Sequence, residues 1–528
     1  MQKIALRAVR PHYQRLNRLL FFLLLAVALS VQAKDKRPNI LFIYTDDHSY
    51  RTVSCYPEAY PWVKTPNIDA LATTGVRFAS AYIGTWCMPS RATMLTGHHQ
   101  FGVESMRMEG EYPGSAYDPK KCKFWPVTFR KNGYVTAQIG KWHTGTDTGA
   151  GRDWDYQKVW NRPRYPENAG NYYKDQLIET NGGKPVMTPG YTTDNYTKWA
   201  TEYISGKHRD ASKPWYLWVC YGAVHGPFTP AKRHLEAFPS IKVPAPKDIF
   251  PPRIGKPAYV RNLNRWSKGE NGVPILKRFA ARTVNASGIH GNTLTDWVRQ
   301  YHQGVLAIDE GVGKLIAALK ASGQYENTLV MFTSDQGFAW GQHGFRHKLA
   351  PYDSNIRSPL IVSQPGTLPQ GKVCPTPVGG TDIVPTFFSF AGLDLPWEMH
   401  GHDLTPLLKN PQGKWPHPTL TVLTAQKYGS DTAIVPTDKK DLIIGGSVPW
   451  WVSLRQGKYK YIRTLVKDEI EEIYDLQADP EELHNLALER KYSKRLKQFR
   501  TATLAELRRT KAPMAGNLPP VGTEKQIR

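Results

Sequence analysis

Residues 39–49 read NILFIYTDDHS, and the fold turns on how they are read. Ile40 to Tyr44 is an unbroken apolar run. It is too short for an ordinary helix and lacks the polar alternation of a half-solvated strand, so it predicts a strand covered on both faces. Two carboxylates, Asp46 and Asp47, follow at its carboxyl end. The same design recurs in GYVTAQIGKWHTG (133–145), WYLWVCYGAVHGPF (215–228) and TLVMFTSDQG (328–337), with SPLIVSQPG (358–366) as a further run lacking the polar tail. Helical patterns lie between these runs, at 66–78, 126–134, 194–205, 296–323 and 381–393. Strands alternating with helices predict an α/β fold with a large mixed, mostly parallel central sheet flanked by helices. In such sheets the site lies beyond the carboxyl ends of the strands.

The flanking regions differ in character. Residues 1–18 carry five basic residues and no acid. An apolar run and a small-residue VQA follow, which is the order of a signal peptide covering 1–33. The run is too short for a comfortable membrane span, so no stable membrane anchor is expected, and the protein is expected to be secreted or periplasmic. Residues 34–414 form the expected catalytic α/β domain, with a Pro-, Gly- and base-rich insertion at about 240–292 placed over the site face. From 415 to 528 the alternation of WVSLRQGKYKYIRT and a charged helix predict a smaller C-terminal α+β domain containing an antiparallel sheet.

The chain has 528 residues and a formal net charge of +24, which falls to +19 once the five bases of the leader are removed. An exported protein this basic points toward an anionic polysaccharide rather than nucleic acid, for which no signature is present. The cysteines are Cys55, Cys87, Cys122, Cys220 and Cys374, an odd number without CxxC spacing. Setting Cys87 aside leaves four, with three possible connectivities.

The strand ends carry the chemistry. Asp46 and Asp47 after one strand and Asp335 and Gln336 after another would make an all-oxygen site suited to a hard divalent ion. Taken singly, such acids also serve as caps or turn residues. In GKWH, Lys141 and His143 lie two apart and project to the same side of an extended segment. VHGPF supplies His225, and FRHKLAPYD supplies Lys348 beside Arg346 and His347. Lysine and histidine are the types that hold an oxyanion and move protons. No glycine loop for phosphate is present, and the acids and amide do not fit a two-zinc site built on histidines. Cys87, at the head of CMPSRATMLTG, is readable from these residues alone as a structural thiol, a nucleophile or a modified residue.

CMPSRATMLTG matches the sulfatase signature Cys-x-Pro-Ser-Arg followed by x-x-x-Leu-Thr-Gly. The chain resembles the type I, formylglycine-dependent sulfatases of the alkaline-phosphatase superfamily. The likeness runs from NILFIYTDD through GKWH, VHGPF, SDQG and the HK pair to YDLQADPEELHNLA at 474–487. It implies that a separate maturation enzyme oxidises Cys87 to Cα-formylglycine, and that Asp46, Asp47, Asp335, Gln336 and residue 87 bind Ca²⁺, with Mg²⁺ second. The position of Gln336 is more often Asn or His in that family. Arg91, Lys141, His143, His225 and Lys348 would complete the catalytic set. The expected substrate is a sulfated carbohydrate, with Arg346, His347, Trp450 and Trp451 as candidate outer contacts, packing at a domain interface being the other reading of the paired tryptophans. An aryl- or choline-type sulfatase and a catalytically silent glycan-binding relative are the alternatives.

Overall fold

The apolar runs form the middle of a ten-stranded sheet. The structure, a computed structural model, describes residues 37–105, 117–277 and 291–522. The expected signal peptide and residues 278–290 of the expected insertion lie outside the described residues. The strands are β1 (Asn39–Thr45), β2 (Gly75–Phe78), β3 (Val135–Trp142), β4 (Tyr156–Asn161), β5 (Lys174–Thr180), β6 (Val186–Tyr191), β7 (Trp215–Cys220), β8 (Thr328–Ser334), β9 (Leu360–Ser363) and β10 (Lys372–Cys374). Their order is β10-β2-β9-β8-β1-β7-β3-β4-β5-β6. The central five, β8 to β4 in that order, are mutually parallel, whereas β9, β5 and β6 bring antiparallel pairings.

The unbroken apolar character of β1 has a simple cause. Leu41 and Ile43 face a core shared with Leu217, Val219, Val330 and Phe332. Ile40, Phe42 and Tyr44 face the opposite core with Trp218 and Met331. Helices α1 (Pro66–Thr73), α3 (Thr192–Ile204) and α4 (Leu294–Ala321) cover the first face, and α2 (Cys87–Thr96) and α5 (Ile383–Ala391) contribute to the second. Helix α4 begins with a capping box: Asp296 N–H donates to the Thr293 hydroxyl, and Thr293 N–H donates back to the Asp296 carboxylate, both at 3.1 Å. Its buried stripe runs Val298, Tyr301, Val305, Ile308, Val312, Leu315 and Leu319 at three- and four-residue steps. Truncating one such residue to Ala costs about 2–5 kcal/mol.

One helical pattern is corrected. Residues 66–78 do not form one helix: α1 stops at Thr73 and β2 follows, antiparallel to β9. Gly75 permits that close pairing, because a Cβ there would lie 2.2 Å from the Val362 carbonyl oxygen.

Beyond the large sheet, β11 (Thr419–Leu423), β12 (Trp451–Gln456), β13 (Tyr459–Thr464) and β14 (Glu471–Asp475) form a separate antiparallel sheet, with α6 (Ser493–Arg509) packed against it. A buried ionic knot joins it to the rest. Lys460 Nζ bonds Asp353 at 2.8 Å and Glu482 at 2.6 Å, and Lys256 Nζ donates to the Tyr474 hydroxyl at 2.6 Å. Tyr352 donates to Glu472 at 2.9 Å, and Tyr82 donates to Asp353 at 2.9 Å. Lys256 belongs to the 240–277 segment. That segment is held a second time by Asp248, which bonds His343 Nδ1 at 2.6 Å.

Candidate active site

The site is assembled where parallel strands end side by side. The last residue of β1, Thr45, is in register with the last residue of β8, Ser334. The chain therefore delivers Asp46, Asp47, Asp335 and Gln336 to one level. Asp47 adopts a left-handed backbone (φ 57°), a conformation Asp tolerates better than most residues. Its N–H donates to Asp335 Oδ1 at 2.9 Å, which stitches the two strand ends together. β3 ends on Lys141 and Trp142 with His143 next, and the loop after β7 brings His225. Helix α2 opens on Cys87, and all ten of its residues are buried. Gly97 ends it at φ 74°, the left-handed stop that glycine allows.

Asp46 is the hub. Arg91 Nη2 donates to its Oδ2 at 2.8 Å, Lys141 Nζ forms a very short contact with the same oxygen, and the Cys87 thiol lies 3.4 Å from Oδ1. Lys348 Nζ lies 2.8 Å from Asp47 Oδ1 and 3.0 Å from Cys87 Sγ. Gln336 Nε2 contacts Asp47 and reaches to 3.8 Å from Cys87 Sγ. His225 Nδ1 lies 2.6 Å from the Gly226 carbonyl, which fixes the hydrogen on Nδ1 and leaves Nε2 facing Asp47 Oδ2 at 3.8 Å.

The electrostatics follow from burial and crowding. Burial and then Asp46 push the Cys87 thiol up to about 12, so the thiol stays protonated. Asp335 is raised to about 7 by burial and then by Asp46, with Arg91 opposing. Asp46 is held well below the usual carboxylate range: burial opposes this, and Lys141 and Arg91 overcome it. His143 is kept neutral by burial and by Arg162, whose Nη1 lies 2.6 Å from Nε2. His225 is kept neutral by burial and Lys348.

The donor set fits a hard divalent cation. Oxygens of Asp46, Asp47 and Asp335 lie within 4.8 Å of one another. Asp335 Oδ2 and Gln336 Oε1 are buried without a hydrogen-bond partner. A cation among these oxygens would relieve both the orphaned acceptors and the crowding that raises Asp335.

The structure brings together Asp46, Asp47, Cys87, Arg91, Lys141, His225, Asp335, Gln336 and Lys348, with His143 adjoining on β3's continuation. The outer residues divide. Arg346 stands over the Trp297 ring at 4.9 Å, and His347 lies next to Phe338. Trp450 and Trp451 do not present a sugar platform. Both are fully buried, Trp450 in the core of the small sheet and Trp451 with its Nε1 donating to the Leu349 carbonyl at 2.9 Å. All five cysteines are free, so none of the possible disulfide connectivities forms. Two contributors have no motif of their own. Tyr172 stacks flat on His225 (4.0 Å, 1°) and sits 3.4 Å from Lys141 Nζ, and Arg162 backs His143. Their only signal is a basic, aromatic stretch, NRPRYPENAGNYYK, after β4.

A family model described as Sulfatase matches residues 38–393. The N-acetylglucosamine-6-O-sulfatase of Bacteroides thetaiotaomicron is 29% identical over 505 residues, covering 88% of this chain and 85% of that protein. An ulvan-active sulfatase of Formosa agariphila is 25% identical over 466 residues, covering 86% and 78%. A solved structure in complex with its substrate D-glucosamine-2-N,6-O-disulfate has a TM-score of 0.74 at 25% identity, covering 90% of this chain and 98% of that one.

Proposed function

Because the chain belongs to the sulfatase family and is a sulfuric ester hydrolase, we propose that it is an exported enzyme that cleaves sulfate esters on a polysaccharide or oligosaccharide, with Cα-formylglycine at position 87 and one Ca²⁺ at the carboxylate site. The observation that carries the reading is the setting of Cys87. It heads a buried helix, within reach of Asp46, Gln336 and Lys348, with its thiol kept protonated. A protonated thiol is a poor nucleophile. Formylglycine, as the hydrated aldehyde, would supply one hydroxyl to attack sulfur and a second whose deprotonation releases the sulfate.

The chain's own groups divide the remaining work. Arg91, Lys141 and Lys348 converge on the position where sulfuryl oxygens would sit and offset the charge that develops there. The positive end of α2 adds to this potential. Asp46, Asp47, Asp335 and Gln336 would hold Ca²⁺, which supplies Lewis acidity toward those oxygens. His225, stacked on Tyr172, would take up a solvent proton at Nε2 as substrate binds and pass it to the leaving sugar oxygen. An arriving sulfate offsets Lys348 and so raises the proton affinity of that nitrogen. His143, kept neutral beside Arg162, accepts a proton from position 87.

The carbohydrate assignment is supported by the named substrates of two similar proteins, sulfated glucosamine and ulvan, and by the basic balance of the chain. Export is supported by the leader at residues 1–33; among the described residues no helix is long and apolar enough to cross a membrane. Mass spectrometry of the peptide spanning Cys87 from the native host tests the nucleophile, because active protein carrying only cysteine there overturns it. A panel of sulfated oligosaccharides beside aryl and choline sulfates tests the substrate. Cys87→Ala abolishes sulfate release, a loss of at least about 10³-fold.

A further inference from the structure

We propose a second, non-catalytic binding site for sulfated oligosaccharide in the cleft at the far end of helix α2. Cys87 opens this helix, and Gly97 caps its last turn. Ten residues at the helical rise separate the two ends by about 15 Å. Directly after Gly97 the chain enters a cleft of about 490 Å³, the size of a small-ligand site. Its floor is shared with the nucleophile helix: Cys122, which lines the cleft, packs in one apolar cluster with Met88 and Ala92 of α2.

The cleft's chemistry selects an anion carried on a flat, apolar body. Lys120, Lys121 and Lys123 stand exposed on one rim, and none has an ion pair among the described residues. The acids of the cleft are already engaged. Glu398 pairs with Lys511 at 2.5 Å, and Glu104 accepts the Ser430 N–H at 2.8 Å. Among the described residues, the three lysines therefore have no acidic partner and face a ligand with their charge. Among the rings that line the cleft, His98 and His400 pack against each other with centres 4.5 Å apart, and Phe101, only 2% exposed, lies against His400 at 5.4 Å. Trp397 is fixed by its Nε1 donating to the Thr96 carbonyl at 2.8 Å. The partly exposed rings of Trp397, His98 and His400 beside exposed lysines match the faces and sulfates of a sulfated sugar.

The histidines are not arranged for a metal. His98 Nε2 lies 2.9 Å from the Glu398 carbonyl, and His400 Nδ1 accepts the His99 N–H at 3.0 Å. Metal-competent groups among the described residues occur only at the catalytic centre. A polymer held in the cleft would raise the local concentration of esters at the catalytic face. The proposal goes beyond the hydrolytic reading and rests on its substrate class.

The test is affinity electrophoresis of the full-length protein in gels containing dextran sulfate, repeated over a salt series. Lys120→Gln, Lys121→Gln and Lys123→Gln together weaken retention about 10-fold at near-physiological salt and flatten its salt dependence. His98→Ala weakens retention with the salt slope unchanged. The triple variant hydrolyses a small aryl sulfate with the parent's kcat/KM but shows a raised KM on sulfated polymer. Lys184→Gln, Lys198→Gln and Lys320→Gln, exposed positions elsewhere on the molecule, remove equal charge and leave retention near that of the parent. Parental retention by the Lys120/121/123 variant overturns the proposal. So does equal loss in the control variant, or competition by duplex DNA as strong as by the sulfated glycan. Retention requires no turnover, so failure of the hydrolytic reading would show separately, as absent sulfate release.

Discussion

Two knots of buried charge lie on either side of the Lys348 loop, and only one of them is the proposed site. The first gathers Asp46, Asp47 and Asp335 with Arg91, Lys141 and Lys348. The second gathers Asp353, Glu472 and Glu482 with Lys256 and Lys460. Charge density does not separate them. The second knot is sealed, with every member nearly inaccessible, and the hydroxyls of Tyr82, Tyr352 and Tyr474 bond its carboxylates. The first has an open edge, where the side chains of Lys348 and His225 are 14% and 26% exposed. Orphaned acceptors alone do not separate them, since Asp335 Oδ2 and Gln336 Oε1 in the first are matched by Glu472 Oε1 in the second. Among the described residues, only the first brings three carboxylates within 4.8 Å of one another. Buried ions become a site when their free lone pairs converge and solvent can reach them. Without those two conditions they are a fastener, and fasteners are weak evidence of net stability.

The contrast breaks most visibly at Lys460. Lys460→Met strands two carboxylates and lowers unfolding free energy by about 3–5 kcal/mol in denaturant titration, with activity per folded molecule retained. An unchanged midpoint would dissolve the distinction. Asp335→Asn does the reverse: kcat falls about 10²–10³-fold while the metal-free protein is as stable as the parent or more so, since crowded like charge is relieved. Calcium sharpens the contrast further. At 100 times its dissociation constant it stabilises the parent by about 2.7 kcal/mol in thermal melts, and it leaves Asp335→Asn nearly unshifted. Equal stabilisation of both proteins would move the cation elsewhere.

The smallest effect is in pH. Glu482 is raised from 4.5 to about 7, by burial first, with Lys460 opposing. Between those values the folded state binds the proton that the unfolded state has released. The contribution of Glu482 to stability is therefore full below pH 4.5 and declines as pH rises through 7. Glu482→Gln flattens that decline in unfolding measured across the interval, and an unaltered slope would refute the assignment.

The central strands were legible because burial on both faces leaves no room for polar residues: β1, β3, β7 and β8 announce themselves, and their polar ends announce the site. Asp46, Asp335 and Cys87 could be found for the same reason, as charge or a reactive atom placed where an apolar run stops. Strands β5 and β6 were not legible, because strands toward the sheet edge share their residues with solvent and lose the contrast, and β4, though nearly all buried, carries Gln157, Lys158 and Asn161 and so shows no apolar run. Tyr172 and Arg162 arrive from that region and act by stacking and by backing a ring, roles that leave no spacing in a sequence. Trp450 and Trp451 mislead for a related reason. Two adjacent aromatics show that large apolar area must go somewhere, but not which side of the strand is inside. Here the two rings enter different cores.

Cys87 is 3% exposed and closed in by residues that range from 46 to 348 along the chain. That geometry imposes an order in time. The first neighbours of the thiol are translated before it, and the last emerge some 260 residues later. Until β8 has docked beside β1, position 87 is reachable; afterwards it is walled in. If position 87 is converted as proposed, a maturation enzyme would have its opportunity while the chain is incomplete or unfolded, and protein that folds first would keep its unmodified thiol.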